Sequence, residues 1–227
     1  MHPSAMANAR AFFDCYFPGI SSDAVKVVEI GSQNVNGSIR EVCPKSYEYI
    51  GLDFQEAPGV DIVLTDPYVL PLEDESVDVV VSSSCFEHSE MFWLVFIEIL
   101  RVLKPHGLFY LNAPSNGVYH RYPVDCWRFY PDSGNALVTW ARRNGISVAL
   151  LESYTSEQVE DVWNDFVAVF LKDERYAEKF QNRIVKQRDD ISNAYVYGMD
   201  ELIKPTESPE DLRRLAVISP VRSAVSG

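Results

Sequence analysis

Five short apolar runs in the first half of the chain constrain its fold more than any other feature. They lie at residues 25–30, 47–53, 61–65, 77–83 and 107–112. Runs of this length are typical of strands that are buried on both faces of a parallel sheet. Helices are expected between some of them, a short one near 37–43 and a strong one at 90–103. The alternation therefore predicts an α/β fold with a doubly wound, mostly parallel, Rossmann-like sheet.

The flanking segments extend this pattern at both ends. Residues 4–17 are expected to form a short helix that packs its aromatic side chains against the core. A helix at 132–143 leads to a strand near 146–153, and residues 163–172 are expected to pair with it as a late antiparallel strand. The sheet is thus predicted to have seven strands.

Three regions follow from this pattern. Residues 1–24 form an N-terminal helix, residues 25–172 form the main domain, and residues 173–227 form a charged C-terminal extension. Charge density rises and periodicity weakens in the extension. Within it, 174–192 is expected to form a solvated helix, and 203–227, with three prolines, an extended or partly disordered arm.

Charge and apolar content exclude two classes of partner. The net charge is −13, and almost all of it falls in the predicted helix and main domain. An acidic body repels a phosphate backbone, so we expect no nucleic-acid substrate. The longest apolar stretch, 91–100, contains Glu98 and is too short to span a bilayer, so we expect a buried helix and no membrane partner.

The cysteines and the start of the chain favour a cytoplasmic protein. The four cysteines lie far apart and form no C-x-x-C pair. The first residues, MHPSAMANARAFF, lack a basic segment followed by an apolar run, so no signal peptide is expected. Reduced thiols in a cytoplasmic protein are the simplest interpretation. The chain is compatible with a homo-oligomer, which its sequence does not define.

The loop after the first predicted strand is the first candidate ligand contact. The segment VKVVEIGSQNVNG at 25–37 passes from an apolar run through Glu29 and Gly31 into a polar loop. Glycine permits close approach of the backbone to a ligand, and Asn34 tolerates the positive φ that tight turns require. The segment is therefore expected to turn sharply around a small ligand.

Polar side chains also follow the other predicted strands. Asp53 ends the second run, Asp66 follows the third, and the polar stretch 82–88 follows the fourth. In an open α/β sheet, ligands bind at the carboxyl ends of the strands, where the strand order reverses. Each carboxylate alone is equally well explained as a turn or cap residue. Their ordered occurrence predicts one cleft.

The segments EIGSQNVNGS, YIGLDF and the run from DIVLTDP to LNAPS resemble the class I S-adenosylmethionine (SAM)-dependent methyltransferases. The resemblance covers about 25–114, and it is strongest with the small-molecule, type-11-like members that carry a Leu-Pro loop before the fourth strand and a Glu-His pair after it. It implies SAM as cofactor, with ribose on Asp53 and adenine near Asp66. The cofactor-binding residues that it implies are Glu29, Gly31, Ser32, Gln33, Asn34, Asp53, Phe54, Asp66, Pro67 and Ser83.

The first loop departs from the pattern of that family. Typical members have E-x-G-x-G-x-G, whereas Gln33 and Val35 occupy the second and third glycine positions here. Two interpretations are open: a rearranged loop that still binds SAM, or a site that has lost its cofactor. The presence of Asp53 and Asp66 favours binding.

Residues 114–132, PSNGVYHRYPVDCWRFYPD, are the candidate acceptor site. The segment follows the fifth predicted strand, is long for a connector, and is dense in aromatic and charged side chains, as functional loops often are. His120 is the first candidate base, Asp125 is its orienting partner or the base itself, and His88 is the competing base. The candidate substrate contacts are Tyr119, Arg121, Tyr122, Trp127 and Arg128. For Trp127 and Phe129, core packing is the favoured interpretation.

Together these features predict a SAM-dependent methyltransferase that O-methylates a small polar acceptor, such as a sugar or a secondary metabolite. N-methylation is the nearest alternative, and a catalytically inactive binding module is another. A nicotinamide-dependent oxidoreductase is disfavoured because the chain has no G-x-G-x-x-G. A His/Asp pair raises metal-assisted chemistry, but no tight ligand spacing supports it, so no metal is assigned.

Overall fold

A computed structural model of the chain describes residues 2–20, 24–158 and 163–206. Three α-helices are present in this part: α1 Pro3–Tyr16, α2 Phe92–Val102 and α3 Ser133–Arg143. The eight strands of one sheet are β1 Lys26–Ile30, β2 Glu48–Asp53, β3 Ile62–Val63, β4 Val77–Ser83, β5 Leu103–Pro114, β6 Ala149–Ser156, β7 Asp165–Leu171 and β8 Ile191–Val196. The predicted α/β class is confirmed.

The strand order is β3-β2-β1-β4-β5-β7-β6-β8. Strands β1 to β5 pair in parallel, whereas β7 is antiparallel to both β5 and β6, and β8 is antiparallel to β6. The chain runs outward from β1 to β3 and then returns to place β4 on the other side of β1. The order therefore reverses between β1 and β4, which is where a ligand cleft is expected.

The sheet is covered on both faces. On one face, α2 and α3 pack over a cluster that includes Val80, Phe96 and Phe109. On the other face, α1 buries Phe12 and Tyr16 against the sheet, with the ring of Phe12 stacked 4.8 Å from that of Tyr110. Apolar side chains on alternate faces of each strand fill both layers, which explains why the strand sequences are apolar throughout.

Two predicted helices are wrong. The segment near 37–43 forms only a 3-10 turn, Ile39–Glu41. The segment 174–192 contains two 3-10 turns, Glu174–Lys179 and Ile184–Lys186, and then enters β8. An eighth strand is thus present beyond the seven predicted.

Buried contacts explain the shape of the C-terminal segment. Glu152 of β6 is buried and accepts hydrogen bonds from the backbone N–H groups of Ile184 (2.8 Å) and Val185 (3.0 Å). These long-range bonds compete with the helical ones and hold the chain against the sheet. Further on, Ile203 forms an isolated bridge with Ala194 of β8. The rest of the predicted arm, 207–227, lies outside the described residues.

Candidate active site

A cavity of about 730 Å³ opens at the carboxyl ends of β1, β2 and β4. Ten of the predicted site residues line it: Glu29, Gly31, Gln33, Asp53, Phe54, Pro67, Ser83, His88, His120 and Tyr122. The others are not among its lining residues: Ser32, Asn34, Asp66, Tyr119, Arg121, Asp125, Trp127 and Arg128. The volume is in the range of small-ligand and cofactor sites.

Gly31 is placed where a side chain does not fit. Its φ is +79°, and a Cβ added there would lie 2.5 Å from the Cβ of Cys85. The N–H of Gly31 and that of Ser32 both donate to the carbonyl of Leu52, at 2.9 and 3.1 Å. The turn is thus fixed by its backbone, and the backbone of Gly31 lines the cavity.

The two missing glycines are accommodated by the loop. Gln33 donates its backbone N–H to the Oδ2 of Asp53 (3.1 Å), so the loop contacts the carboxylate at the end of β2. Val35 is 54% exposed. Asn34 closes the turn by accepting from the N–H of Gly37 (2.9 Å), so its role is structural. Gln33 and Val35 both belong to the cavity lining, and the volume of about 730 Å³ is present with their side chains in place.

Asp53 is a buried carboxylate that is fixed by two backbone N–H groups and can accept further hydrogen bonds. Its Oδ1 accepts from the N–H of Phe54 at 2.8 Å, and its Oδ2 accepts from Gln33. Each carboxylate oxygen can accept more than one hydrogen bond. Because Asp53 lines the cavity, it can also receive two hydroxyl donors from a ligand.

The side chain of Asp66, predicted to lie near adenine, is not among the lining residues of the cavity. It is exposed and accepts the backbone N–H of Tyr68 (2.8 Å), as turn-forming aspartates do. The neighbouring residues Thr65, Pro67 and Tyr68 line the cavity instead. The carboxylate of Asp66 therefore shapes the loop.

Glu29 is a second buried acid at the cavity. It lies one residue before the end of β1 and accepts a hydrogen bond from the hydroxyl of Tyr49 at 2.8 Å. Burial raises the pKa of Glu29 to about 7. The carboxyl group of Glu29 therefore changes between its neutral and its ionised form near pH 7. A cationic ligand group nearby would favour the ionised form.

Glu87, His88 and His120 form one cluster in the lining of the same cavity. A carboxylate oxygen of Glu87 and a ring nitrogen of each histidine lie within 4.8 Å of one another. The His88 and His120 rings meet edge to face, with centroids 4.9 Å apart. Burial raises the pKa of Glu87 to about 8 and lowers the pKa of His88. Two imidazoles and an acid thus meet at the cavity wall.

Asp125 is a positioning residue in this arrangement. Arg128 donates two hydrogen bonds to it, at 2.6 and 2.9 Å, and the pair holds the pKa of Asp125 at about 2. So acidic a carboxyl is a weak base at neutral pH, which disfavours the predicted role of Asp125 as the base. Asp125 also accepts the backbone N–H of His120 (2.7 Å), so it fixes that residue.

The remaining predicted substrate contacts are not among the lining residues of the cavity, with one exception. Arg121 donates to the carbonyl of Pro123, and Tyr119 is 74% exposed. Trp127 donates to the carbonyl of Ser89 and packs edge to face on Phe92, which supports the packing interpretation. Tyr122 is the exception, since it lines the cavity with its ring 6.4 Å from that of His88.

Three of the lining residues that the sequence did not single out are Glu87, His2 and Trp163. Glu87 was seen only as part of the polar stretch after the fourth strand. His2 and Trp163, whose rings lie 5.9 Å apart, come from segments far from the predicted cleft. His2 is held by Asp165, with Nε2 3.0 Å from Oδ2. Of these three residues, only Glu87 had a signal in the sequence, which is the Glu-His pair after the fourth strand. His2 and Trp163 do not follow a predicted strand, so the pattern of polar residues at strand ends does not include them.

Comparison with known proteins supports a methyltransferase fold. The family model described as a methyltransferase domain matches residues 34–111. Phthiotriol/phenolphthiotriol dimycocerosates methyltransferase 1 of Mycobacterium ulcerans is 36% identical over 112 residues, covering 41% of this chain and 40% of that protein. The corresponding enzyme of Mycobacterium tuberculosis is 35% identical over 118 residues, covering 44% and 42%. The chain thus spans about two fifths of the length of these curated relatives.

Solved structures match a larger part of the chain. The 1,6-didemethyltoxoflavin-N1-methyltransferase of Burkholderia thailandensis, with 1,6-didemethyltoxoflavin and S-adenosylhomocysteine bound, has a TM-score of 0.56 at 14% identity over 75% of this chain and 79% of that one. The YcgJ protein of Bacillus subtilis has a TM-score of 0.52 at 12% identity over 76% and 100%. At these identities the likeness concerns the fold alone. Within the described residues, no helix has the length and apolar character needed to cross a membrane.

Proposed function

We propose that the chain carries a class I SAM-dependent methyltransferase domain and that it methylates an oxygen of a small polar acceptor. The observation that carries the proposal is that one cavity is lined by two sets of residues: Gly31 and Asp53, called the cofactor end here, and Glu87, His88 and His120, called the acceptor end. A methyl donor and its acceptor must meet in line within one enclosed space. This cavity provides that space.

The residues at the first end fit SAM. Gly31 lies in the cavity lining and has no side chain, because a Cβ there would collide with Cys85, so its backbone is available for close approach to the methionine part. Asp53 has free acceptor capacity for the two ribose hydroxyls, and Glu29 offers a carboxylate to a cationic group. SAM supplies an activated methyl group on a sulfonium. All other groups needed for the transfer belong to the acceptor and to this chain.

The residues at the second end fit an acceptor that loses a proton. The Nδ1 of His88 lies 2.6 Å from the carbonyl oxygen of Val124, which identifies it as the protonated nitrogen and leaves Nε2 with a free lone pair. His120 stands beside it, held through Asp125. Either imidazole can accept the proton of a hydroxyl as the methyl group is transferred. A neutral amine needs no such base, so the imidazole pair favours O-methylation over N-methylation.

An inactive binding module is less well supported by the geometry. The missing glycines at positions 33 and 35 were its sequence support. Gln33 and Val35 both line the cavity, and the cavity keeps a volume of about 730 Å³ with their side chains in place, so the loss of these glycines has not closed it.

Calorimetric titration with S-adenosylhomocysteine tests the proposed cofactor site. We expect saturable binding of one equivalent to the whole chain. Incubation with radiolabelled SAM and a panel of hydroxylated small molecules then tests transfer. Absence of saturable cofactor binding at millimolar concentration would contradict the proposal.

A further inference from the structure

The cluster of Glu87, His88 and His120 has the composition of a metal site. Glu87 and His88 come from the 3-10 turn Phe86–His88 that follows β4, and His120 comes from the loop after β5. Their ligand atoms lie within 4.8 Å of one another. The tight ligand spacing that the sequence lacked is therefore created by the fold.

Ordinary hydrogen bonding does not account for the cluster. Glu87 is 1% exposed, and among the described residues its Oε2 has no hydrogen-bond partner. Its Oε1 is 3.7 Å from the Nε2 of His88, beyond hydrogen-bond distance. Buried carboxylates are almost always satisfied. A cation bound between the three side chains would satisfy Glu87 and both imidazoles at once.

The far side of each imidazole is already engaged. The Nδ1 of His88 contacts the carbonyl of Val124, and the Nδ1 of His120 lies 3.2 Å from the carbonyl of Val118 and 3.4 Å from Asp125. Metal-binding histidines characteristically donate their second N–H to a carbonyl or a carboxylate, which orients the ring. This leaves the Nε2 atoms as the ligand atoms.

We propose that Glu87, His88 and His120 bind one divalent transition-metal ion at the acceptor end of the cavity. Two imidazoles and one carboxylate suit Zn²⁺, Fe²⁺ or Co²⁺ better than Mg²⁺, which prefers oxygen ligands. Three protein ligands leave coordination positions open, and the cluster faces the cavity.

The open coordination positions would allow the ion to bind the hydroxyl group of the acceptor. An acceptor hydroxyl bound there would have its pKa lowered and would lose its proton to cavity water, because both Nε2 lone pairs would then be on the ion and neither imidazole would act as the base. The oxygen would form its bond to the methyl carbon as the carbon–sulfur bond of SAM breaks, which leaves S-adenosylhomocysteine. This use rests on the proposed methyl transfer, whereas binding of the ion does not. A vicinal diol would occupy two open positions and is the acceptor class that the site would favour.

Titration of the metal-free chain with Co²⁺, followed by visible absorption and calorimetry, tests the site. We expect one equivalent to bind. Glu87→Gln and His120→Ala should each weaken it at least tenfold, as loss of one ligand does. His106→Ala is the matched control, because His106 lies beside Asp78 and Tyr176, outside the cavity lining, and should bind Co²⁺ like the parent chain.

Two results would overturn the assignment: no saturable Co²⁺ binding, or equal affinity in the parent chain and in His120→Ala. Because Glu87 is buried, Glu87→Gln is interpreted only if its melting temperature equals that of the parent chain. If it melts lower, His120→Ala is used for the test, because His120 is partly exposed. S-adenosylhomocysteine binding is measured separately without metal. If S-adenosylhomocysteine binds and Co²⁺ does not, the metal site is wrong and the methyl-transfer proposal stands. If Co²⁺ binds and S-adenosylhomocysteine does not, the methyl-transfer proposal is wrong and the metal site stands.

Discussion

In the loop that follows β1, backbone N–H groups are the donors of the hydrogen bonds, whereas the loop that follows β5 is held by a side-chain ion pair. Gly31 and Ser32 donate to the carbonyl of Leu52, and the two side chains that accept from this loop are those of Asp53 and Asn34. The second loop is organised around Asp125 and Arg128, which fix His120. The cofactor end of the cavity therefore tolerates departures from the family pattern, and the acceptor end depends on individual residues.

The largest expected effect is at the acceptor end. His120→Ala should lower methyl-transfer turnover about 100-fold or more, because it removes a proton acceptor or a metal ligand. S-adenosylhomocysteine affinity should change by less than about threefold, since no cofactor contact is proposed for His120. Turnover and calorimetric affinity are measured on the same preparation. A larger effect on affinity than on turnover would place His120 at the cofactor end.

At the cofactor end, Asp53→Ala should weaken S-adenosylhomocysteine binding about 100-fold, because it removes two hydrogen bonds to a charged acceptor and each contributes at least about 1.5 kcal/mol. Asp66→Ala is the matched control, since Asp66 is exposed and outside the cavity lining. Its affinity should stay within about threefold of the parent. Equal losses in the two variants would contradict the separate roles given to them.

The ion pair gives a third test. Arg128→Met should lower the free energy of unfolding by about 1–3 kcal/mol, because it leaves the buried Asp125 carboxylate without its main partner. Arg121→Met, which removes only a hydrogen bond to the exposed Pro123 carbonyl, should change stability by less than about 0.5 kcal/mol. Denaturant unfolding measures both. Equal stability in the two variants would show that the ion pair does not organise the loop.

The smallest effect concerns pH. Glu29 has a pKa of about 7, so its carboxyl is neutral below that pH and ionised above it. SAM is cationic at its sulfonium, so its affinity should rise as pH increases from 6 to 7 and level off above, by at most about tenfold. Calorimetry across this range checks it. In Glu29→Gln the increase in SAM affinity with pH should vanish. If the increase persists, another titrating group causes it.

The same contrast explains what the sequence could predict. Gly31 and Asp53 follow strands directly, so their place at one edge of the sheet follows from the strand pattern. Glu87 and His120 are far apart in the chain and meet only because the loop after β5 folds back over the turn after β4. No local pattern gives that contact.

The errors in the fold have a similar cause. The strand β8 and the turns before it depend on Glu152, whose hydrogen bonds reach the backbone of Ile184 and Val185. Local helix propensity could not reveal that distant acceptor. Strands β1, β2 and β4, in contrast, were predicted because their apolar runs are themselves the buried core.

The central claim is that one cavity joins the cofactor groups to the Glu87, His88 and His120 cluster. A crystal structure of the chain with S-adenosylhomocysteine tests it most directly. We expect the ribose hydroxyls on Asp53, the backbone of Gly31 against the methionine part, and the sulfur facing the cluster. A nucleoside bound away from Asp53, or a sulfur directed away from the two imidazoles, would contradict it.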